Sequence, residues 1–281
     1  MEEKEIKYAL VKQHQTIQQL QLFRVMKRGA REKEIERYYK SNDKKTSVTI
    51  KMLNELDISD QDLFFVILAM SLVEDRGDII SQESENINIK LWNKLQVDGD
   101  FKKWDTIKIE TTFYELNKEL GKKNGSSGIK WAKESLDRLS LTNIKIDSDK
   151  YNGASNLLNY TIDKSQKIVK IAINPLSASV LIEDKKGYVF HNRIERLSLS
   201  KAPAKALYSI LAGLVTIKRI RSSIRVSVLI EKMYFINWNE TISEQRKSFK
   251  RSFKKALEEI GKLELWQIID NQNDTIKIIR T

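Results

Sequence analysis

Two stretches of this chain carry the same succession of patterns, and that doubling limits the available folds more than any single motif does. In the second half, SKAPAKALYSILAGLVTI reads as a helix capped by Ser200, RSSIRVS as a strand, VLIEKMYF as a short helix and NWNETIS as a turn. The basic stretch EQRKSFKRSFKKALEEIGKL then forms a long helix, and LELWQIIDNQNDTIKIIR a hairpin turning at Asn271–Asp274. In the first half, DISDQDLFFVILAMSLVEDRG is a buried helix, with Ser59 as N-cap, Asp62 at the third helical position and Gly77 at its close. INIKLW and WDTIKIE are strand-like, Thr111 and Thr112 open the short helix FYELNKEL, and KKNGSSG is a turn. Ser126 or Ser127 caps the long helix GIKWAKESLDRLS, on which Ile129, Ala132, Leu136 and Leu139 mark one face for the core. The strands LTNIKID and LLNYTIDKSQKIVKIAI complete that half, and a helix from Pro175, capped by Asn174, begins the next.

Helix, strand, short helix, turn, long helix and hairpin is the element order of a winged helix-turn-helix unit. The expected fold class is α+β, two tandem winged helix-turn-helix domains. Residues 1–56 are read as an N-terminal arm and leading elements, 57–173 as the first domain, and 174–281 as the second, which holds the basic recognition helix. The 281 residues suffice for two modest cores. The doubling rests on pattern, with no identity between the halves.

Composition removes several chemistries. There is no cysteine, hence no disulfide or thiol nucleophile, and His14 and His191 are too few and too far apart for a metal site. The start, MEEKEIKYALVKQHQ, lacks the basic and apolar regions of a signal peptide, and LFFVILAM is far shorter than the roughly 20 residues that span a bilayer. A cytoplasmic protein without a membrane partner is expected. GKKNGSSG is not a Walker loop, and Tyr38–Tyr39 has no paired histidines to serve a nicking nucleophile. No acid–base or nucleophilic constellation is found, so the expectation is a protein that is not an enzyme and takes no cofactor or metal.

Charge points to a polyanion. Of the formal net charge of +12, the stretch from Lys201 to Thr281 carries +8, with 16 Lys/Arg against 8 Asp/Glu. On a helical wheel, Phe249, Phe253, Ala256, Leu257 and Ile260 share an arc of about 100°. Arg246, Lys247, Lys250, Arg251, Lys254 and Lys255 fill the arc beside it. Six cations in the first half of a helix oppose its dipole and repel one another at i, i+4, local costs that phosphate contacts would offset. The phenylalanines thus belong to the core and the basic arc to DNA. A weaker counterpart surrounds the first-half turn, where Ser126, Ser127, Lys130 and Lys133, with Lys122 and Lys123, flank a helix start suited to phosphate.

LFRVMKRGAREKEI, ISDQDLFFVILAMS, TTFYELNKELG with SSGIKWAKESLDRL, AINPLSASVL and LSLSKAPAKALYSILAGLV occur in an order that resembles the RepC-type replication initiators of IncQ plasmids, related to the TrfA-like group. EQRKSFKRSFKKALEEIGKLELWQI resembles that family's basic carboxy-terminal helix and following strand. The resemblance runs from about Gln19 to Ile269 and is weakest over KSNDKKTSVTIKMLNE and the far carboxy end. It implies tandem winged-helix domains that bind directly repeated sites (iterons) of double-stranded DNA at a plasmid origin, without catalysis. It further implies bending or opening of the origin and recruitment of a replicative helicase, plasmid-encoded in IncQ plasmids. Carried onto this chain, the recognition helices are the basic stretch from Glu244 to Leu263 and about Ser126 to Ser140. The FRVMKRG segment, with Arg24, Lys27, Arg28 and Arg31, is either an arm on DNA or a packing element. A homodimer through the first domain is one expected assembly. A tandem winged-helix repressor of transcription would use the same helices and is the alternative function.

Overall fold

From Leu63 to Met70 the chain has no polar side chain, and the helix it builds, Ile58–Met70, is buried everywhere except at Ser59 and Asp62. A capping box closes its start: Asp57 accepts from the amides of Ser59 and Asp60, and Asp60 accepts from the amide of Asp57. The cap therefore lies two residues ahead of the expected Ser59. The helix ends at Met70, and Gly77 instead begins a strand.

The computed structural model describes residues 9–27, 29–41, 45–73, 77–182, 187–271 and 273–281. The chain opens with β1 (Leu10–His14), α1 (Gln15–Gln19), β2 (Phe23–Arg24), β3 (Lys33–Lys40), β4 (Thr46–Asn54) and β5 (Leu56–Asp57). Then come α2 (Ile58–Met70), β6 (Gly77–Ile80), α3 (Asn86–Lys94), β7 (Asp98–Gly99), a 3-10 turn at Asp100–Lys103 and β8 (Thr106–Thr111). Next are α4 (Phe113–Glu119), α5 (Ser126–Ser140), β9 (Thr142–Ser148), β10 (Asn152–Asn156), β11 (Leu158–Asp163) and β12 (Ile168–Ile173). The remainder is α6 (Pro175–Ile182), β13 (Tyr188–Asn192), α7 (Arg193–Ser198), α8 (Ala202–Leu214), β14 (Arg219–Arg225) and α9 (Val226–Tyr234). A 3-10 turn at Trp238–Glu240, α10 (Ser243–Ile260), β15 (Trp266–Asp270) and β16 (Thr275–Arg280) close the chain.

The doubled order is present as topology. The series α2, β8, α4, α5, β11, β12 recurs as α8, β14, α9, α10, β15, β16. In both sheets the last strand is central: β12 lies between β11 and β8, and β16 between β15 and β14. The first series is enlarged by β6, α3 and β7 after α2, and by β9 and β10 after α5. Of these, β6 extends the β11-β12-β8 sheet beyond β8, while β7, β9 and β10 join β3 and β4 in a second sheet, ordered β3-β4-β9-β10-β7.

Residues 9–54 thread through this frame. β4 pairs with β9 inside the five-stranded sheet, β1 pairs antiparallel with β13, and α1 packs on α8. One apolar cluster, from Val11 to Ile278, runs through both series.

Some local expectations change. INIKLW is helical, because Leu91, Trp92 and Leu95 occupy one helical face and meet Ile80 and Ala172. KEIERYYK is an edge strand in which half-buried Ile35, Arg37 and Tyr39 alternate with exposed Glu34, Glu36, Tyr38 and Lys40. Gly125, not Ser126 or Ser127, is the N-cap of α5, and both serines lie exposed in its first turn. Lys201 is the N-cap of α8, while Ser200 bonds the Glu259 carboxylate.

Candidate nucleic-acid interface

The two faces of α10 separate as its wheel requires. Phe253, Ala256 and Ile260 are buried toward α8, and half-buried Phe249 rests on the Tyr234 ring, with centroids 4.5 Å apart. Lys247, Lys250, Arg251, Lys254 and Lys255 are exposed. The six cations are not equivalent. Half-buried Arg246 donates to the Asn239 carbonyl at 2.9 Å and lies 5.5 Å from the Trp238 ring centroid, so it braces the turn before the helix. Lys250 pairs with Asp274, at the tip of the β15–β16 hairpin, at 2.7 Å. Lys247, Arg251, Lys254 and Lys255 make no ion pair among the described residues.

In the first series, α5 buries Ala132, Ser135, Leu136 and Leu139 and leaves Ser126, Ser127, Lys130 and Lys133 exposed. Ile129, expected in the core, is instead 45% exposed, because it lies in the first turn, ahead of the part that the fold covers. Lys122 lies over the Trp131 ring, and burial lowers its pKa to about 8. Arg138, near the other end of α5, is bound at 2.7 Å to Asp60, which also accepts from Ser135 at 2.6 Å.

The FRVMKRG segment divides. Lys27 is exposed, and Arg28 lies outside the described residues. Arg24 pairs with the fully buried Glu55 at 2.5 Å. Arg31 binds Asp57, the Asp60 carboxylate at 3.0 Å and the Glu55 carbonyl. These two arginines are packing elements. Arg37 also meets Glu55, at 2.6 Å, and its guanidinium lies 4.4 Å from the Phe235 ring at the end of α9.

Sequence reasoning missed the groups that lock the two series together. Arg196 on α7 donates to Asp62 on α2 at 2.7 Å and to Gln61 at 2.9 Å, and Lys205 on α8 reaches the same Asp62 carboxylate at 2.8 Å. Arg193 donates to the Glu119 carboxylate at 3.1 Å and to its carbonyl at 2.7 Å, and both side chains are almost fully buried. Burial opposes the ionisation of Asp62, yet Arg196 and Lys205 outweigh it and hold the carboxyl below the usual range. The only signal in the sequence was acids set inside or beside apolar runs, as in ISDQDLFF. Among the described residues, no cluster of His, Asp or Glu suits a metal ion, and no helix is long and apolar enough to cross a membrane.

The fold is similar to that of solved structures. Domains 2 and 3 of RctB, as selenomethionine derivatives, match with a TM-score of 0.55 at 10% identity, over 92% of this chain and 94% of that one. A second structure of RctB domains 2–3 gives 0.52 at 11% identity, over 95% and 97%. The fold is thus a mixed α/β architecture like that of these two RctB domains. No curated protein matches the chain. The family model for Replication protein C (RepC) matches residues 8–281, and the chain belongs to that family of replication proteins.

Proposed function

We propose that this chain initiates plasmid replication by binding iterons in double-stranded DNA at an origin. Its two series act as tandem winged helix-turn-helix domains with α5 and α10 as recognition helices. The observation that carries the reading is the basic face of α10, held out of the core by the Phe249–Phe253 stripe at the third-helix place of a topology that occurs twice. Membership of a replication protein family supports it.

In this mechanism, α10 enters a major groove by its N-terminal half. Lys247 and Arg251, with Arg246 and Lys250 beside them, reach base edges and adjacent phosphates, while Lys254 and Lys255 grip phosphates further along. Ser126, Ser127, Lys130 and Lys133 do the same work for α5, and Lys27 flanks the duplex. The Asp62–Arg196–Lys205 and Glu119–Arg193 contacts hold the helices at a fixed relation, so that one chain reads groove segments about one turn, 34–36 Å, apart. The protein acts in the cytoplasm without catalysis or cofactor. It bends or opens the origin and recruits a replicative helicase, plasmid-encoded as in IncQ plasmids, and a homodimer is one assembly open to it. A footprint on the origin, with wild type and with Arg246, Lys247, Lys250 and Arg251 changed together to Ala, tests the assignment. Protection by wild type alone is expected, and protection that survives all four changes overturns it.

A further inference from the structure

The two series build the start of their first helix in opposite ways. In α2 two acids stand there, Asp57 as N-cap and Asp60 at the third helical position. The Asp60 carboxylate is fully buried and accepts from two residues of α5, Ser135 at 2.6 Å and Arg138 at 2.7 Å. Counted from the N-cap, the matching positions of α8 are Lys201 and Ala204, neither of which supplies a carboxylate, and no side chain caps that helix.

The counterparts of the groups that bind Asp60 are nevertheless present. Ala132, Leu136 and Leu139 on α5 and Phe249, Phe253 and Ala256 on α10 follow the same four-then-three spacing along the core-facing stripe. In that register Ser135 corresponds to Ser252 and Arg138 to Lys255. The fold brings Ala204, Ser252 and Lys255 together around a cleft of about 230 Å³ between α8 and α10, which Lys201 and Arg251 also line. Lys201, Arg251 and Lys255 make no ion pair among the described residues. The acid in the lining, Glu259, accepts from the Ser200 amide at 2.9 Å and from its hydroxyl at 3.1 Å. Ser252 accepts from the Tyr234 hydroxyl at 2.8 Å, which leaves its own proton to donate.

We infer that this cleft seats one backbone phosphate of the bound duplex, in the place that the Asp60 carboxylate takes in the first series. Ser252 and Lys255 donate to it as Ser135 and Arg138 donate to Asp60, Lys201 pairs with it from the start of α8, and Arg251 reaches the phosphate beside it. A helix start favours either kind of anion, carboxylate or phosphate. Exposed Lys247 and Lys254 continue the positive charge along α10, which suits a phosphate within a polyanion better than an isolated carboxylate. The first series carries its own anion at this place, so the two halves grip the backbone differently. The inference rests on the DNA-binding function proposed above.

The test uses a duplex selected from a randomised pool by the full wild-type chain, then remade with one phosphate at a time replaced by an uncharged methylphosphonate. Wild type should lose roughly tenfold affinity when the seated phosphate is neutralised, the worth of a charge-assisted contact. Ala204→Asp supplies the second series with the carboxylate of the first. It should abolish the penalty at that one phosphate and flatten the slope of log affinity against log salt by about 0.9. Lys201→Ala combined with Lys255→Ala removes the cations without filling the cleft, and should abolish the penalty at the same phosphate. Circular dichroism checks that each variant is folded, and if Ala204→Asp is not, the double lysine variant decides alone. A penalty that survives in either folded variant, or that is lost at different phosphates in the two, overturns the inference while leaving DNA binding intact. If the wild-type chain selects no duplex, the function reading itself falls, and this inference with it.

Discussion

Replacing Lys247, Arg251, Lys254 and Lys255 together with alanine should flatten the salt dependence of DNA binding by a calculable amount. All four are exposed and make no ion pair among the described residues, so each is available to displace a counterion from a phosphate. The slope of log affinity against log salt changes by about 0.9 per phosphate neutralised on duplex DNA, so four contacts account for about 3.6. Between 50 and 200 mM salt, wild type should therefore lose roughly 150-fold more affinity than the variant. Lys250 provides an internal contrast. Its ammonium already meets Asp274, so phosphate must displace a carboxylate, and Lys250→Ala should flatten the slope by less than Lys247→Ala does. Fluorescence anisotropy of a labelled repeat, titrated with the full chain across that salt range, measures each slope. Thermal melts should leave the fourfold variant near wild type, since exposed side chains away from special contacts seldom matter to stability. A fourfold variant with the wild-type slope would refute the reasoning, because α10 would then not lie along the phosphates.

Glu119→Ala removes the carboxylate that the buried Arg193 guanidinium pairs with and should cost about 3–5 kcal/mol in urea melts, whereas Glu119→Gln, which keeps an acceptor, should cost clearly less. Burial lowers the pKa of His14 to about 4 and, with Arg196 and Arg280 adding repulsion, that of His191 well below its ordinary value. The unfolded chain then binds protons first as pH falls. Stability is complete above about pH 6.5 and declines below it, with about 3 kcal/mol lost through His14 by pH 4. Denaturant melts at pH 7 and pH 5 should show His14→Gln losing less than wild type over that interval. Gly128→Ala would force a Cβ to within 2.8 Å of the Lys123 carbonyl and should destabilise by about 1–3 kcal/mol, measured as a shift in the urea midpoint.

What the sequence made legible follows from periodicity. The stripe on α10, the Asn174 and Thr112 caps and the Asn271–Asp274 turn are local, and each is found where it was read. INIKLW alternates over four residues and so imitates a strand, but burial of Leu91, Trp92 and Leu95 on one side favours a helix. The role of residues 9–54 was not legible, since pairing of β1 with β13 joins positions about 180 apart and no local pattern records it. The same is true of the ion pairs, which need partners from α2, α4, α7 and α8 at once.

Those ion pairs bear on how α5 and α10, the two proposed recognition helices, would act together. A buried Arg–carboxylate contact adds little net stability over well-packed apolar side chains, because desolvation offsets most of the attraction. It is nevertheless directional. An apolar contact tolerates sliding, while Arg196 must meet Asp62, Gln61, the Lys205 carbonyl and the Ser209 hydroxyl in a single geometry. Replacing Glu119 and Arg193 together with methionine should therefore keep or raise stability while loosening the relation between α5 and α10. If that relation sets the reading frame on DNA, the double variant should bind a single half-site as wild type does, yet tolerate one or two base pairs inserted between half-sites that wild type rejects. Equal rejection of the inserted duplex by both proteins would show that the spacing is fixed elsewhere, by the β1–β13 pairing or by the shared apolar core.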